Sequence, residues 1–570
     1  MSPRETQVAN AYYRINIRPT STEIEVLDSA IRNAVDKISH YDRERFSLQL
    51  KVNAMLHELQ YLSTKGTQMR QERDNLVAIR SSARLLPTEI LVHIFAYLGV
   101  DGNFHSPEMS MLLNICRVCS AWRNACIGCP ELWTAVSIDI PGTDADLLEV
   151  QSARKLFALW FDRARYLPIR FSLKVFKDEH DPSKELLREI LPFVHRISEL
   201  QICLERPHGL DSLSPVPRAS MSMLERLSLS FPRGHHHRLP YSATYPIRFF
   251  DAAPLLRAVS LDLDSITLSN SAEFACPWSQ LTYLEIKHGV QPAAWDTILR
   301  QCLNLQSGAF HLIEATFHYP FQLGPTRVTY ETLTALTLNL SPHIRQETAM
   351  PYQCFDFPAL QDLCLIADVP DVVTSRSDDL DGSANINTFL PCLTASSLRR
   401  LVLVRVSVKF KDLVRFLATC TDLEELSLDL PELPHRKLFT ALQYGVEGMI
   451  AGPSLPQLTS FATCIPSGDD SLSATSRLAD LVLWWHLHCP RRIQPLKDVT
   501  LFAYHAPRRN SDHIDSTADV LRAFESAVEH CVYDEVSCPT GFRLKTVIAS
   551  DVKQSPLKGL RSWTSLDWQQ

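Results

Sequence analysis

The fold is decided by the stretch Leu281-Thr282-Tyr283-Leu284-Glu285-Ile286, because its pattern returns many times along this 570-residue chain. Its last three residues alternate apolar and polar, as in a short strand that buries one face. Stronger copies of this L-x-x-L-x-L phrase begin at Ile197, Leu224, Leu256, Leu333, Leu360, Leu398 and Leu423, and weaker ones lie near Leu458 and Leu496. The sequence therefore predicts a series of short, similar strands.

The spacing of the phrases predicts how these strands assemble. Most successive copies lie about 24 to 38 residues apart, which extends slightly past the usual range of leucine-rich repeats. Helical stretches lie between some phrases, for example at 295–302 and 413–420. One such unit cannot bury its apolar side alone, so neighbouring units must stack. We predict an α/β fold with an irregular leucine-rich-repeat solenoid and a parallel sheet over residues 196–505.

Polar residues between the leucines of each phrase are candidate contacts for a target protein. Successive side chains of a strand point to opposite faces, so these residues lie on the face opposite the leucines, which we expect to be the concave side of the solenoid. The candidates are Ser228, Asp262, Glu285, Lys287, Thr337, Arg405, Ser427 and Asp429. The alternative is that they are solvated strand positions with no binding role.

A small helical segment precedes the repeats. Its first helix, Leu86-Pro87-Thr88-Glu89-Ile90-Leu91-Val92-His93-Ile94-Phe95-Ala96-Tyr97-Leu98, is apolar nearly all the way round. A second helical pattern runs from Pro107 until Pro130 ends it. A domain of about 50 residues is close to the lower size limit for independent folding, so we expect one apolar face to belong to a partner.

Three motifs of this segment together resemble an F-box. They are Leu86-Pro87-x-Glu89-Ile90-Leu91-x-x-Ile94-Phe95-x-x-Leu98, Cys119-x-x-Trp122-Arg123 and Pro130-x-Leu132-Trp133. The chain is similar to large fungal F-box families, in which a coiled segment precedes the box and leucine-rich repeats follow it. The resemblance implies that the box binds a Skp adaptor on a surface formed or supported by Leu86, Pro87, Ile90, Leu91, Ile94, Phe95 and Leu98, and that Trp122 helps to hold its helices together.

The resemblance also implies a function. It makes the chain the non-catalytic substrate-recognition subunit of a Skp–cullin–F-box ubiquitin ligase, in the ubiquitin-conjugation pathway, whose repeats bind an unknown target protein. One alternative is an interaction scaffold that binds the Skp adaptor without cullin or ubiquitin transfer. Another is that the helix at 86–98 only seals the end of the domain behind it, as a capping unit does.

A heptad repeat runs from Ile24 to Leu76. Its two apolar positions, here called the seam, include Ile31, Ile38 and Val52 at the first position and Leu48, Met55 and Leu62 at the second. This pattern predicts a left-handed coiled coil, and β-branched residues at the first position favour a parallel pair of chains. Arg45, Gly66 and Arg73 interrupt the seam. A homodimer is one interpretation, and a helix that folds back on its own chain near Gly66 is the other.

Composition limits the other function classes. The net charge is −7, and no basic tract is long enough to follow a phosphate backbone, so we expect no nucleic-acid partner. The polar N-terminus and the absence of about eighteen consecutive apolar residues predict no membrane association and a cytoplasmic or nuclear location. Six residues separate Cys116-x-x-Cys119 from Cys126-x-x-Cys129, which is too few for a zinc site. We find no catalytic motif and expect no catalytic residues, cofactor or metal.

These observations predict six regions. They are a polar tail at 1–22, a coiled-coil helix at 23–80, an F-box at 84–133, a connecting segment at 134–195, the leucine-rich-repeat solenoid at 196–505, and a C-terminal cap and tail at 506–570.

Overall fold

A computed structural model gives the fold. The structure describes residues 18–80, 86–99, 107–140, 147–175, 183–204, 220–231, 248–262, 274–313, 327–341, 354–367, 397–430, 433–444, 455–465, 471–484, 497–504 and 543–549, with short pieces at 210, 212–213, 217, 390 and 393. The chain divides into two compact units, Met1–Leu91 and Val92–Gln570.

The first unit contains one long helix, α1 (Ser21–Arg80), of 60 residues. A capping box starts it: the backbone N–H of Thr20 donates to the carboxylate of Glu23 at 2.9 Å, and the Thr20 hydroxyl donates to the same oxygen. The helix continues without interruption through Gly66, so the structure contains no hinge at the position where the sequence allowed one. From Ile31 onward every described side chain of α1 is exposed.

Three short helices follow. They are α2 (Thr88–Gly99), which begins in the first unit and ends in the second, α3 (Pro107–Val118) and α4 (Ser120–Gly128). A 3-10 turn at Pro130–Trp133 then leads directly into the first strand. The backbone N–H of Leu91 donates to the carbonyl of Pro87 at 3.1 Å, so Pro87 lies immediately before the first turn of α2.

A parallel sheet dominates the second unit. Within the described residues it has fourteen strands, each paired with the next in chain order. These strands are β1 (Ala135–Ile140), β2 (Ile169–Val175), β3 (Ile197–Leu204), β4 (Arg226–Ser230), β5 (Ala258–Asp262), β6 (Tyr283–Val290), β7 (Ser307–Leu312), β9 (Ala335–Leu340), β11 (Asp362–Ala367), β12 (Arg400–Val404), β13 (Glu425–Asp429), β14 (Ser460–Ile465), β15 (Asp498–Tyr504) and β16 (Arg543–Ala549). Two short strands, β8 (Val328–Thr329) and β10 (Phe355–Asp356), form a separate parallel pair.

Helices connect some of these strands. They are α5 (Leu147–Arg163), α6 (Ser183–Ile190), α7 (Pro292–Gln301), α8 (Phe410–Thr419), α9 (His435–Tyr444) and α10 (Ser471–Leu483). Two of them show which face of the sheet is covered. Phe157 of α5 lies 5.2 Å from Phe171 of β2 between ring centroids, and Trp295 of α7 lies 6.0 Å from Phe310 of β7. The side chains in register with Phe171, and those two residues further along each strand, such as Phe310, therefore form the core against the helices.

The register aligns the repeated phrases. Leu227 of β4 pairs with Leu200 of β3 and with Val259 of β5, and all three are buried. Leu284 and Leu336 occupy the same second position in β6 and β9. Leucines of successive phrases are thus stacked side by side in one apolar row, which is the arrangement that their common spacing predicts. The structure is a mixed fold of helices and one parallel sheet.

The sheet extends beyond the range predicted for it on both sides. Residues 134–195, expected to be a connecting segment, contribute β1 and β2, and residues 506–570, expected to be a cap and tail, contribute β16. The three strands lack a clear copy of the phrase: β2, for example, reads Ile169-Arg170-Phe171-Ser172-Leu173. Phe171 occupies the position of the leucine in the core row. A search for regularly spaced leucines therefore does not find this strand.

Candidate functional site

The apolar residues of α2 divide into an exposed and a buried set. Ile90 is 45% exposed and Ile94 is 42% exposed, and Leu86 is also exposed. Ile90 and Ile94 are four positions apart, so they lie on one face of α2, and Leu86 lies four positions before Ile90, just ahead of the helix. Leu91 and Phe95, which follow Ile90 and Ile94 by one residue, are only 4% and 2% exposed. We call Leu86, Ile90 and Ile94 the exposed row.

Contacts with α4 explain the buried set. The ring of Phe95 lies 5.2 Å from the ring of Trp122, and Trp122 is half-buried. At the start of α4 the backbone N–H of Trp122 donates to Sγ of Cys119 at 3.5 Å, which caps the helix. The expectation that Trp122 holds the helices together fits this contact.

The expected adaptor-binding residues are therefore not equivalent. Leu86, Pro87, Ile90 and Ile94 are exposed, whereas Leu91 and Phe95 are buried within this chain, where they cannot contact another protein. Their burial fits the supporting part of the expectation for this set rather than direct contact with an adaptor. The side chain of Leu98 lies outside the described residues.

Sequence reasoning missed four further exposed apolar residues. Tyr97, Met111, Val118 and Ile127 are all exposed, on α2, α3 and α4. The hydroxyl of Tyr97 makes this residue look like a polar position in the helical pattern. Apolar residues at solvent-facing positions of a small domain are the signal that could have identified the others, but only once the helix boundaries are known.

Trp133 joins the small helices to the sheet. Its indole N–H donates to the carbonyl of Cys126 at 2.8 Å, and its ring lies 4.7 Å from Trp160 of α5. The guanidinium of Arg163 lies 4.2 Å from the centre of the Trp133 ring, within the range of a cation–π interaction. Trp133 is completely buried, so α4 and α5 share one aromatic core.

The cysteines of this segment are packed as small apolar groups. Burial raises the pKa of Cys126 to about 12, and burial together with a hydrogen bond to Glu131 raises the pKa of Cys129. Sγ of Cys129 donates to the Glu131 carboxylate at 3.0 Å. Raised pKa values keep thiols protonated, and protonated thiols are poor nucleophiles and poor metal ligands. In the described part of the chain no three His, Cys, Asp or Glu residues are grouped to hold a metal ion.

Strand alternation places the candidate target contacts on, or at the end of, the strand face opposite the leucine row, which we call the uncovered face because the helix contacts given above lie on the leucine side. Ser228, Glu285, Thr337 and Ser427 occupy the third position of β4, β6, β9 and β13. Asp262 and Asp429 are the last residues of β5 and β13, Lys287 follows the paired part of β6, and Arg405 follows β12 directly.

Two of these candidates are not available to a target. Glu285 is 3% exposed, and it accepts a hydrogen bond of 2.7 Å from Oγ of Ser260 on the neighbouring strand. Burial raises its pKa, while the nearby Lys287 acts in the opposite direction. Asp429 is 1% exposed, and its carboxylate lies 3.7 Å from Nε of Arg405. Close neighbouring strands cover both carboxylates, so we assign them structural roles. The remaining candidates are partly exposed.

The uncovered face changes character along the sheet. Over β1 to β6 the residues in register on this face are mainly polar: Ser137, Ser172, Gln201, Ser228, Ser260 and Glu285. Over β11, β12, β14 and β15 the same face carries an apolar cluster of the buried residues Val402, Val404, Ala462, Cys464 and Phe502, with the partly buried Cys364 and Ile366 packed against them. A shallow pocket, lined in part by Thr337, Cys364, Arg400 and Val402, lies where the two parts meet. The sequence analysis did not identify this cluster, although Val402 and Val404 flank a core leucine.

No helix within the described residues combines the length and the apolar character that crossing a membrane requires.

Comparison with known proteins identifies the small helical segment. Residues 83–139 match the model of a family described as F-box-like, and the match extends from just before α2 into β1. No curated protein is significantly similar to the chain. The matched residues include the exposed row, the Phe95–Trp122 contact and Trp133. The chain therefore carries an F-box-like domain at residues 83–139.

Proposed function

We propose that the chain is a substrate-recognition adaptor of a Skp–cullin–F-box ubiquitin ligase. The exposed row carries the proposal, because it places isoleucines in solvent within a domain whose family suggests a Skp-type partner. Full burial of one such side chain against a partner contributes about 1.5 to 3 kcal/mol. Leu86, Ile90 and Ile94 would contact the adaptor, while Leu91, Phe95 and Trp122 hold the helix that presents them.

We propose further that the repeated strands form a leucine-rich-repeat solenoid that binds the target protein. The aligned leucine rows and the parallel pairing of successive strands support this architecture. Target contacts would come from the partly exposed candidates on the uncovered face, which are Ser228, Asp262, Lys287, Thr337, Arg405 and Ser427. The order of long helix, box and repeated strands supports the likeness to fungal F-box families.

The proposed mechanism is proximity. The chain supplies no catalytic residue; it holds the target near a ubiquitin-conjugating enzyme that cullin brings, so that transfer becomes effectively local. We place this activity in the cytoplasm or the nucleus. Pairing of two chains through α1 would present two targets and two adaptor sites together.

The decisive experiment changes the exposed row and leaves the domain core intact. Ile90→Glu plus Ile94→Glu should abolish binding of purified Skp adaptor, because two charges would be buried at the interface. The matched control is Leu255→Glu plus Leu303→Glu, which changes two exposed leucines outside the F-box-like domain and should bind normally. Circular dichroism establishes that both variants fold. Normal adaptor binding by the first variant would contradict the proposal.

The same preparation distinguishes the scaffold alternative. A ligase subunit brings cullin together with the Skp adaptor, whereas a scaffold retains the adaptor alone. Target binding is tested separately with Ser228→Arg plus Thr337→Arg, which places two bulky charges on the uncovered face. We expect this variant to bind the adaptor normally and to lose ubiquitination of its target.

A further inference from the structure

Within the described residues, the solvent-facing surface of α1 carries a row of exposed apolar side chains that the F-box-like domain and the sheet do not explain. Its seam residues Ile31, Ile38, Leu48, Leu59 and Leu76 are 55–67% exposed. A seam of this kind needs a second helix to cover it. The residue types at the seam favour a parallel pair, but the charges beside the seam carry separate information about the direction of the partner.

Charged residues of alternating sign line one flank of the seam. They occur every seven residues, immediately before the first seam position, and they are Lys37, Glu44, Lys51, Glu58, Lys65 and Glu72. All six are exposed. Residues seven apart on a helix are separated by about 10 Å along its axis, so neighbours in this series are too far apart to pair well within one helix. The alternation therefore fits a partner outside the helix.

We propose that α1 pairs with α1 of a second copy in the antiparallel direction. An antiparallel two-fold brings the same flank of both helices together, whereas a parallel two-fold brings opposite flanks together. With the axis passing between residues 51 and 58, every flank pair joins opposite charges. Lys51 faces Glu58 of the partner subunit, Glu44 faces Lys65 of the partner subunit, and Lys37 faces Glu72 of the partner subunit.

The same alignment relieves two of the three interruptions of the seam, those at Gly66 and Arg73. Gly66, where an added Cβ would meet nothing within 4 Å, faces the large side chain of the partner's Tyr41. Arg73 faces the small side chain of the partner's Ala34. Each large residue thus meets a small one, which is what close packing requires.

A parallel pair would place each interruption against itself. Two Arg73 side chains would meet across the seam, two Gly66 residues would leave a gap, and Lys65 would lie beside Arg70 of the partner subunit. Like charges and empty space both disfavour this arrangement. The antiparallel alignment has neither fault, so we infer that it replaces the parallel pair that the seam residue types favour.

The inference rests on the proposal that α1 pairs with a second copy, and it does not depend on the F-box-like domain. In the antiparallel pair the two Arg80 residues would lie about 80 Å apart, because each position adds 1.5 Å along the helix. The two F-box-like domains would then start from opposite ends of the pair.

Zero-length crosslinking of the full-length wild-type protein tests the direction. A carbodiimide joins a lysine amine to a carboxylate only when they are in contact, and mixing unlabelled with isotope-labelled protein identifies links between copies. We expect mixed-isotope links between Lys37 and Glu72 and between Lys65 and Glu44. Within one straight helix these pairs are about 50 and 30 Å apart, so no single helix can form them. A dimer that lacks both links would overturn the inference.

Charge reversal provides an independent test by analytical ultracentrifugation. Lys51→Glu plus Lys65→Glu makes four of the six flank pairs repulsive and should weaken dimerisation by more than about tenfold. In a parallel pair the same change would replace the contact of Lys65 with Arg70 by an attraction and strengthen the dimer. The matched control, Arg32→Glu plus Arg43→Glu, changes the charge equally away from the seam and should dimerise normally.

A complementary variant completes the test. Glu44→Lys plus Glu58→Lys should also be monomeric, and an equimolar mixture with Lys51→Glu plus Lys65→Glu should form a heterodimer, because every flank pair is again opposite. A mixture that stays monomeric, or a wild type that is itself monomeric, would overturn the inference. Skp adaptor binding measured on the same samples reports separately on the proposed function.

Discussion

The aromatic rings of Phe95 and Trp122 lie 5.2 Å apart and join the helix that bears the exposed row to the helix behind it. Aromatic pairs at this distance contribute about 0.5 to 1.5 kcal/mol beyond the burial of their area. The contact separates two roles on α2 that are adjacent in sequence: Ile94 faces solvent and Phe95 faces the domain core.

Phe95→Ala should therefore act through stability. Removal of a buried phenylalanine side chain lowers the free energy of unfolding by about 3 to 5 kcal/mol, because it leaves a cavity against Trp122. Urea denaturation and limited proteolysis of the F-box-like domain measure the effect. Ile94→Ala is the control, and it should change stability little while it weakens adaptor binding. Equal stability losses for the two variants would contradict this division of roles.

Trp133→Phe tests the link between the small helices and the sheet. The change removes the 2.8 Å hydrogen bond to the carbonyl of Cys126 and part of the ring contact with Trp160. We expect a loss of about 1 to 2 kcal/mol in the free energy of unfolding, mostly from the hydrogen bond. Thermal unfolding measures it. The exposed Tyr166→Phe, which also removes one polar group from an aromatic ring, should unfold as the wild type does.

Gly308→Leu should destabilise the protein although leucine is the common residue at this position of the repeated strands. Gly308 occupies the second position of β7, and a Cβ there would lie 2.8 Å from the ring of Phe310 and 3.2 Å from Leu305. The space is already filled. Even Gly308→Ala should cost about 1 to 3 kcal/mol through overpacking.

Differential scanning calorimetry checks this expectation. Gly128→Ala is a suitable control, because an added Cβ there meets nothing within 4 Å. If Gly308→Leu raised the melting temperature, the conclusion that the core at β7 has no space for a side chain at this position would be wrong.

The buried Glu285 predicts a pH dependence of stability. Its pKa is raised, chiefly by burial, so the folded protein keeps a proton on this carboxyl over a pH range in which the unfolded chain has released it. Stability must then fall as pH rises from about 4.3, the ordinary pKa of glutamate, to the raised value. Glu285→Gln cannot ionise and still accepts a hydrogen bond from Ser260.

The expected result is that Glu285→Gln gains stability relative to the wild type as the pH is raised from about 4 to 7. Urea unfolding at several pH values measures the difference. Glu225→Gln is the matched control, because it makes the same change at an exposed position before β4. A constant difference between Glu285→Gln and the wild type would show that folding does not shift the pKa of this carboxyl, against the expectation.

Much of the fold could be predicted from the sequence because the repeated phrase marks which residues of neighbouring strands lie side by side. Leu200, Leu227 and Leu284 stand at equivalent positions of their phrases, and the structure stacks that position in one buried row. Strands β2 and β7 lack a leucine at this position, so the repeated phrase does not mark them. Phe171 replaces the leucine in β2, and Gly308 replaces it in β7, where the large ring of Phe310 fills the space instead.

The site could be located from the sequence but not resolved into its two faces. A helix that is apolar nearly all the way round gives no indication of which side meets the domain and which side meets solvent. Only the position of Trp122 decides that Phe95 lies inside. Likewise, strand alternation placed Glu285 on the uncovered face, but the closeness of Ser260 on the next strand, which buries it, is a tertiary effect.

Trp133 lies near the C-terminal end of the F-box-like domain, and its ring packs against Trp160 in the aromatic core next to the first strand. A flexible tether would let a captured protein sample many distances from a ligase. Here the contacts of the buried Trp133 hold α4 next to α5 and the first strands, so the distance between α4 and the start of the sheet is fixed. For the proposed ligase subunit, the position along the sheet at which a target binds would then decide which of its lysines receive ubiquitin.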